Sequence, residues 1–345
     1  MYNENGKIGI VFPSELEKSA GKVTELYSLQ KYEDIFSIDN LYKSYISARK
    51  GKRNRKVVYE FEKNVWEELQ KLHDSLKDGT YKPSVYRTFK IYEPKERLVV
   101  APHFKDSVVQ HALYNAVYPI FDRSFIFDSY GCRKGKGAHS ASKQLQTYMR
   151  EHTGDEYYLQ IDIQKYYYSI NHEILRDRIS RKIDNKKVVN LLMLFVDETN
   201  DVGLHIGNLL SQLFGLIYLD RLDHYIKRVL KVKHYIRYVD DSILVGLSYE
   251  QAKEYLEKIK LFIDEELHLE LSKFRIAKIK KGSNFVGFRT WKSKKYIRKR
   301  SLYHFSKALR QGKTASLISI MGNASHSSSI GYMQSKIKEH NVLQV

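Results

Sequence analysis

The stretch His234-Tyr-Ile-Arg-Tyr-Val-Asp-Asp-Ser-Ile-Leu-Val-Gly246 sets two adjacent carboxylates, Asp240 and Asp241, between runs rich in β-branched and aromatic residues. That pattern predicts strand, tight turn, strand, with a two-residue loop at the tip of a β-hairpin. Neighbouring anions repel each other, and a divalent cation relieves the repulsion, because carboxylate oxygens are natural ligands of Mg²⁺. A solvated acidic turn is the alternative, since Asp favours turns without any ligand.

Outward from this hairpin, a second carboxylate in a similar setting lies 78 residues earlier. Tyr157-Tyr-Leu-Gln-Ile-Asp-Ile163 reads as a strand with Asp162 near its end. An ion between Ile161 and Ile163 is costly to bury unless it is paired or metal-bound. A helix N-cap or a salt-bridged strand end is the ordinary alternative. Strands far apart in sequence can be neighbours in a sheet, so Asp162, Asp240 and Asp241 can converge, as two-metal phosphoryl transfer requires. That chemistry needs little general-base help, and no His or Cys nucleophile stands out.

The rest of the chain bounds the partners. With 42% hydrophobic and 29% charged residues among 345, it is globular, with room for two or three subdomains. The 59 Lys and Arg against 40 Asp and Glu leave a formal charge of +19. Such an excess favours a polyanion, most often nucleic acid. The 27 tyrosines supply stacking surface as well as core. One cysteine, Cys132, excludes an internal disulfide framework and a multi-cysteine zinc site. No apolar run approaches the ~20 residues of a membrane span, and the N-terminus lacks the apolar core of a signal peptide. A cytoplasmic location without membrane association is therefore expected.

Periodicity predicts helices over 38–48, 60–77, 106–117, 138–150, 172–182, 188–198, 213–230 and 251–267. It predicts strands over 85–92, 96–100, 269–279 and 283–290, followed by a basic and then helical end. The basic cluster Arg49-Lys-Gly-Lys-Arg-Asn-Arg-Lys56 suits contact with a polyanion backbone, or is a solvated face. The loop Asp128-Ser-Tyr-Gly-Cys-Arg-Lys-Gly-Lys-Gly137 leads into a helix and can hold a phosphate through backbone N–H groups. It does not match a Walker loop, which removes an NTPase reading.

Several motifs in order resemble the reverse transcriptases of bacterial retroelements, from about residue 81 to 288. Tyr238-Val-Asp-Asp241 resembles the family's aromatic-x-Asp-Asp box, and Gln160-Ile-Asp-Ile-Gln-Lys-Tyr-Tyr-Tyr-Ser-Ile170 its first palm motif. Gly207-Asn-Leu-Leu-Ser-Gln212, Asp106-Ser-Val-Val-Gln-His-Ala-Leu113 and Asn284-Phe-Val-Gly-Phe288 resemble the template-side loop, the fingers segment and the primer grip. The resemblance implies an α+β right-hand polymerase. An N-terminal extension and fingers would occupy 1–150, a palm with an antiparallel sheet and part of the fingers 151–290, and a short helical thumb 291–345.

It further implies that Asp162, Asp240, Asp241 and the Ile163 carbonyl bind two Mg²⁺ ions, with Mn²⁺ as a substitute. Lys95, Arg97, Tyr167, Ile206, Gly207 and Gln212 would meet the incoming nucleotide, with Tyr167 as a steric gate against the 2′-hydroxyl. Lys273 would act on the pyrophosphate as a catalytic group, and Phe285, Val286 and Gly287 would hold the primer. By their residue types alone, Lys95, Arg97 and Lys273 are equally surface charges and Tyr167 a core aromatic. Structured template RNA, an RNA/DNA heteroduplex and dNTPs would be the partners.

A narrower resemblance rests on Ile206-Gly-x-x-x-Ser211-Gln212, where most retroelement enzymes carry Gln-Gly-x-x-x-Ser-Pro. It is similar to the enzymes of diversity-generating retroelements, and implies errors at template adenines and a small basic accessory protein. Ile206 removes a hydrogen-bonding side chain beside the base pair, leaving shape to discriminate. A phage-defence (retron-like or abortive-infection) enzyme with the same chemistry is the alternative. A non-catalytic RNA-binding scaffold is a third reading; it predicts the loss of a metal carboxylate, and all three are present.

Overall fold

Apolar residues recurring every three to four positions make the N-terminal part helical. The structure, a computed structural model, describes residues 32–92, 96–196 and 200–342. The short α1 (Tyr32–Ile35) leads into α2 (Ile38–Ala48), which buries Leu41, Tyr45 and Ala48 and is capped by the Ser37 side chain. The single helix expected over 60–77 is two, α3 (Lys56–Lys63) and α4 (Val65–Lys77). They break at Asn64, which leaves the helical region (φ −128°, ψ 42°); a short amide side chain competes with the helix backbone for hydrogen bonds.

Strands β1 (Arg87–Ile91) and β2 (Arg97–Ala101) form an exposed antiparallel hairpin. Helix α5 (Phe104–Asp122) then crosses the core with Val108, Val109, Ala112, Leu113 and Val117 fully buried. It extends beyond the expected 106–117 and carries Pro119 within it. Helix α6 (Ala138–Arg150) follows, then β3 (Tyr157–Ile163), α7 (His172–Ser180) and α8 (Lys186–Met193). Helix α9 (Leu209–His224) is buried along most of its length and runs on as a π-helical turn, Tyr225–Val229.

Strands β4 (His234–Tyr238) and β5 (Asp241–Leu247) precede α10 (Tyr249–Leu267), whose start is locked by a Ser248–Gln251 capping box. With β6 (Leu271–Lys278) they complete a four-stranded antiparallel sheet ordered β4-β5-β3-β6. Alternation along β3 divides its side chains between two layers. Leu159, Ile161 and Ile163 join α9 and α10 in the main core, while Tyr158 meets Leu145 and Met149 of α6 on the opposite face.

Three short strands, β7 (Ser283–Phe285), β8 (Phe288–Thr290) and β9 (Lys295–Ile297), form a second sheet. It carries α11 (Lys299–Arg310), α12 (Thr314–Ala324) and α13 (Ser329–Val342), which share a separate small core of Phe288, Ile297, Phe305, Ala324 and Met333. Among the described residues no helix is long and apolar enough to cross a membrane.

Candidate active site

The β4–β5 loop is two residues, Val239 and Asp240, with Tyr238 opposite Asp241. Asp240 is therefore at the tip, and Asp241 is the first residue of β5. Val239 adopts φ 58°, a left-handed conformation that a β-branched residue avoids at a cost of ~1–2 kcal/mol. Two contacts hold it there. The wholly buried Arg237 donates from Nη1 to the Val239 carbonyl at 2.9 Å, and its fork grips Asp223 at 2.7 and 2.6 Å. Asp223, equally buried, also accepts from the Tyr235 hydroxyl at 2.7 Å.

From the other side, the backbone of Gly131 lies so close that a Cβ there would stand 2.6 Å from Val239 Cγ2. The Arg237 N–H donates to the Asp128 carbonyl, and the Tyr130 N–H to the Arg237 carbonyl, both at 2.9 Å. The start of the glycine-rich loop, considered above as a phosphate holder, thus buttresses the hairpin.

Register brings the carboxylates together. Asp162 pairs across β3–β5 with Asp241 and across β3–β6 with Lys273. Gln160 Nε2 donates to Asp241 Oδ1 at 2.9 Å. Ser272 Oγ donates to Asp162 Oδ2 at 2.7 Å, and Lys273 Nζ lies 3.6 Å from the same oxygen. Burial, with the charges of Asp162 and Asp240 added, pushes the Asp241 carboxyl up to about 7. Burial and Asp162 also raise Asp240, against the pull of Arg97 and Arg237.

Among the described residues, no three Asp, Glu, His or Cys side chains are grouped tightly enough to hold one ion. The donor set still suits a hard divalent cation, because mutually repelling carboxylate oxygens are short of positive charge. The raised Asp241 gives a sign to the pH dependence. Its native form keeps a proton that the unfolded chain releases near pH 4, so it stabilises the metal-free protein at low pH. That contribution is lost as pH rises toward 7. In EDTA, the wild type should lose several degrees more of melting temperature between pH 5 and 8 than Asp241→Asn does, measured by differential scanning fluorimetry. Equal losses would show that Asp241 titrates normally.

The other expected residues are only partly gathered here. Arg97, exposed at the start of β2, is close enough for its charge to act on Asp240; Lys95 lies outside the described residues. The Ile206 carbonyl accepts from the Val100 N–H at 2.8 Å. Gly207 (φ 119°) has the Val100 carbonyl 2.8 Å from where a Cβ would be, so only glycine fits between loop and β2. Gln212 is exposed on the first turn of α9.

Tyr167 is half-buried against Gly215, where an added Cβ would approach its ring to 3.2 Å. Its hydroxyl pairs with the Cys132 thiol, and burial, Cys132 and Asp240 raise its pKa. Ile163 is buried in the main core. Val286 (φ 43°) and Gly287 (φ 90°) turn between β7 and β8, with Phe285 buried beside them.

Six residues of the site were not anticipated, Arg237 above among them. Gln160 joins Asp241 to the β7–β8 hairpin, since its Nε2 also reaches the Asn284 carbonyl at 3.0 Å and its Oε1 accepts from Ser283 Oγ at 3.2 Å. Ser272 holds Asp162, and Cys132 meets Tyr167. The Arg298 charge reaches Asp241, while its N–H donates to the Gly287 carbonyl at 3.3 Å. Asp223 anchors Arg237. Alternation from Asp162 to Gln160 was a usable signal, as was the basic run around Arg298; Asp223 had none.

The family profile described as reverse transcriptase (RNA-dependent DNA polymerase) matches residues 82–290. Protein YkfC of Escherichia coli (strain K12) is 26% identical over 285 residues, covering 68% of this chain and 73% of YkfC. The group II intron-encoded protein LtrA of Lactococcus lactis subsp. cremoris is 26% identical over 344 residues, covering 77% of this chain and 56% of LtrA. The chain thus spans little more than half the length of LtrA. A solved structure of telomerase from Candida albicans, in complex with a TWJ fragment of telomeric RNA, is similar with TM-score 0.48 and 13% identity, over 75% of this chain and 54% of that one. The profile covers more than half of the chain and all three aspartates: the protein belongs to the reverse transcriptase (RNA-dependent DNA polymerase) family, with the α+β fold of a right-hand polymerase.

Proposed function

We infer that the chain synthesises DNA on an RNA template by metal-assisted phosphoryl transfer. The observation that carries this reading is the antiparallel register of Asp162 with Asp241, with Asp240 in the adjoining turn. Residues 1–150 act as N-terminal extension and fingers, 151–290 as palm and 291–345 as thumb. Asp162, Asp240, Asp241 and the Ile163 carbonyl hold the divalent ions, two Mg²⁺ or Mn²⁺, which when bound neutralise the charge developing on the transferring phosphoryl group. Arg97, together with Lys95, orients the triphosphate, and Lys273, beside Asp162, donates to the departing pyrophosphate. The β7–β8 hairpin, with Phe285, Val286 and Gly287, steadies the primer end. Ile206, Gly207 and Gln212 line the templating side. Because Ile206 has no hydrogen-bonding group to offer the base pair, copying is error-prone at adenines, in the manner of a diversity-generating retroelement, with a structured template RNA and a small basic accessory protein.

Primer extension on an RNA template with Mg²⁺ tests this. The wild type should extend with dNTPs and reject rNTPs. Tyr167→Ala should improve rNTP use by about tenfold or more, since a shape barrier to one hydroxyl is lost. Sequencing of the product should show misincorporation concentrated opposite adenine; even fidelity at all four bases would remove the mutagenic reading and leave the polymerase. No extension in the presence of template RNA and accessory protein would overturn both.

A further inference from the structure

Beyond the β7–β8 hairpin, α6, the β8–β9 turn and the α12–α13 loop wall an open cleft of about 620 Å³. Its lining includes Lys143, Lys294, Lys295, His139 and His326, with serines and one glutamine, and contains no Asp or Glu. Lys295 is only 8% exposed. Its ammonium lies 4.8 Å from the centre of the Phe288 ring, and no described carboxylate pairs with it. An ammonium buried without a counter-ion is costly, and here burial and the neighbouring Lys143 both lower its pKa. The His139 and His326 rings stack across the cleft at 3.8 Å between centroids.

The walls are fixed to one another. Gln146 Nε2 donates to the Trp291 carbonyl at 3.0 Å, Arg150 Nε to the Lys292 carbonyl at 2.8 Å, and the Ser328 N–H to the Lys295 carbonyl at 2.7 Å. The surrounding sequence is one-sided as well: from Leu271 to Lys338 there are 17 Lys and Arg and no Asp or Glu. A preformed cleft with cations, hydroxyls and no acid has the chemistry of a phosphate site.

We propose that this cleft is a phosphate-binding site, separate from the aspartate centre, and that it takes a backbone phosphate of bound RNA. The RNA as source rests on the polymerase reading, whereas the phosphate chemistry rests on the cleft alone. Wild-type primer extension therefore tests the first independently of the variants that test the second.

Lys143→Gln/Lys294→Gln removes two exposed charges, and Lys295→Gln removes the buried one; the exposed pair keeps the test open if the third variant folds poorly. Lys253→Gln/Lys258→Gln on α10 removes equal charge elsewhere. Anisotropy titrations with a labelled RNA hairpin across a KCl series should show the cleft pair binding about tenfold more weakly, with a salt slope smaller by about one. The control pair should change little, and extension of a short primer–template at saturating concentration should be unaffected. Inorganic phosphate should raise the melting temperature of the wild type and of the control but not of the cleft variants. RNA affinity equal to the control with loss of the phosphate effect would assign the site to free phosphate or nucleotide and overturn the RNA assignment. Cleft variants matching the control in both measurements would overturn the site.

Discussion

Replacing Asp240 by Asn should lower primer extension about 10³-fold or more while leaving RNA affinity within about twofold. The magnitude follows from losing one preorganised charge at the reacting phosphoryl group. Asn keeps the shape of the turn and removes only the anion. Stability separates this loss from unfolding. Burial and Asp162 disfavour the Asp240 charge in the metal-free protein, so the neutral side chain should hold or raise the melting temperature. Extension assays paired with thermal melts and RNA binding check all three. Wild-type-like synthesis by the variant would remove Asp240 from the metal centre.

The second large effect belongs to a pair that touches no substrate. Arg237 and Asp223 are both fully buried, and removing one partner leaves an uncompensated buried charge, so Asp223→Ala should cost about 3–5 kcal/mol. The paired replacement Asp223→Leu/Arg237→Met is the informative variant. Exchanging a buried ion pair for apolar side chains of similar volume is often neutral in stability, so the fold should survive. The Val239 carbonyl, however, loses its donor, and the left-handed turn can relax. A displacement of about 1 Å at Asp240 is worth about 100-fold in rate. The double variant should therefore melt near the wild type and extend primers at least about tenfold more slowly, with dNTP KM little altered. A normal rate would show that the turn holds itself.

What the sequence made legible was what local pattern encodes. Alternation along 157–163 and the Asp-Asp hairpin exposed the inner strands of the sheet; the chemistry required only that the carboxylates meet, the antiparallel sheet was implied by the family resemblance, and the register came from the structure. The α2 boundaries were readable from helical spacing alone. Asn64 was passed over because the apolar period runs through it. Gln160 bonds to Asn284 in β7, and Ser272 in β6 bonds to Asp162 in β3, each more than 100 residues away in the chain, and no local pattern reports such partners. Asp223 was hidden for a related reason: in the polar last turn of α9, beside Asp220, Arg221 and His224, it reads as an ordinary helix-end charge until Arg237 is placed beside it. The glycine-rich loop was read by composition as a ligand holder, whereas Gly131 is small because the hairpin presses on it.

Gln160 makes one measurement common to two parts of the site. A single rigid amide contacts both Asp241 and the Asn284 carbonyl, so the distance from the carboxylates to the β7–β8 hairpin is set by one side chain rather than by the tolerance of a loop. A polymerase must return each new chain end to the same spot after every step of a long copy. On the primer-holding role proposed for the β7–β8 hairpin, the gauge for that spot is built into an inner strand of the sheet.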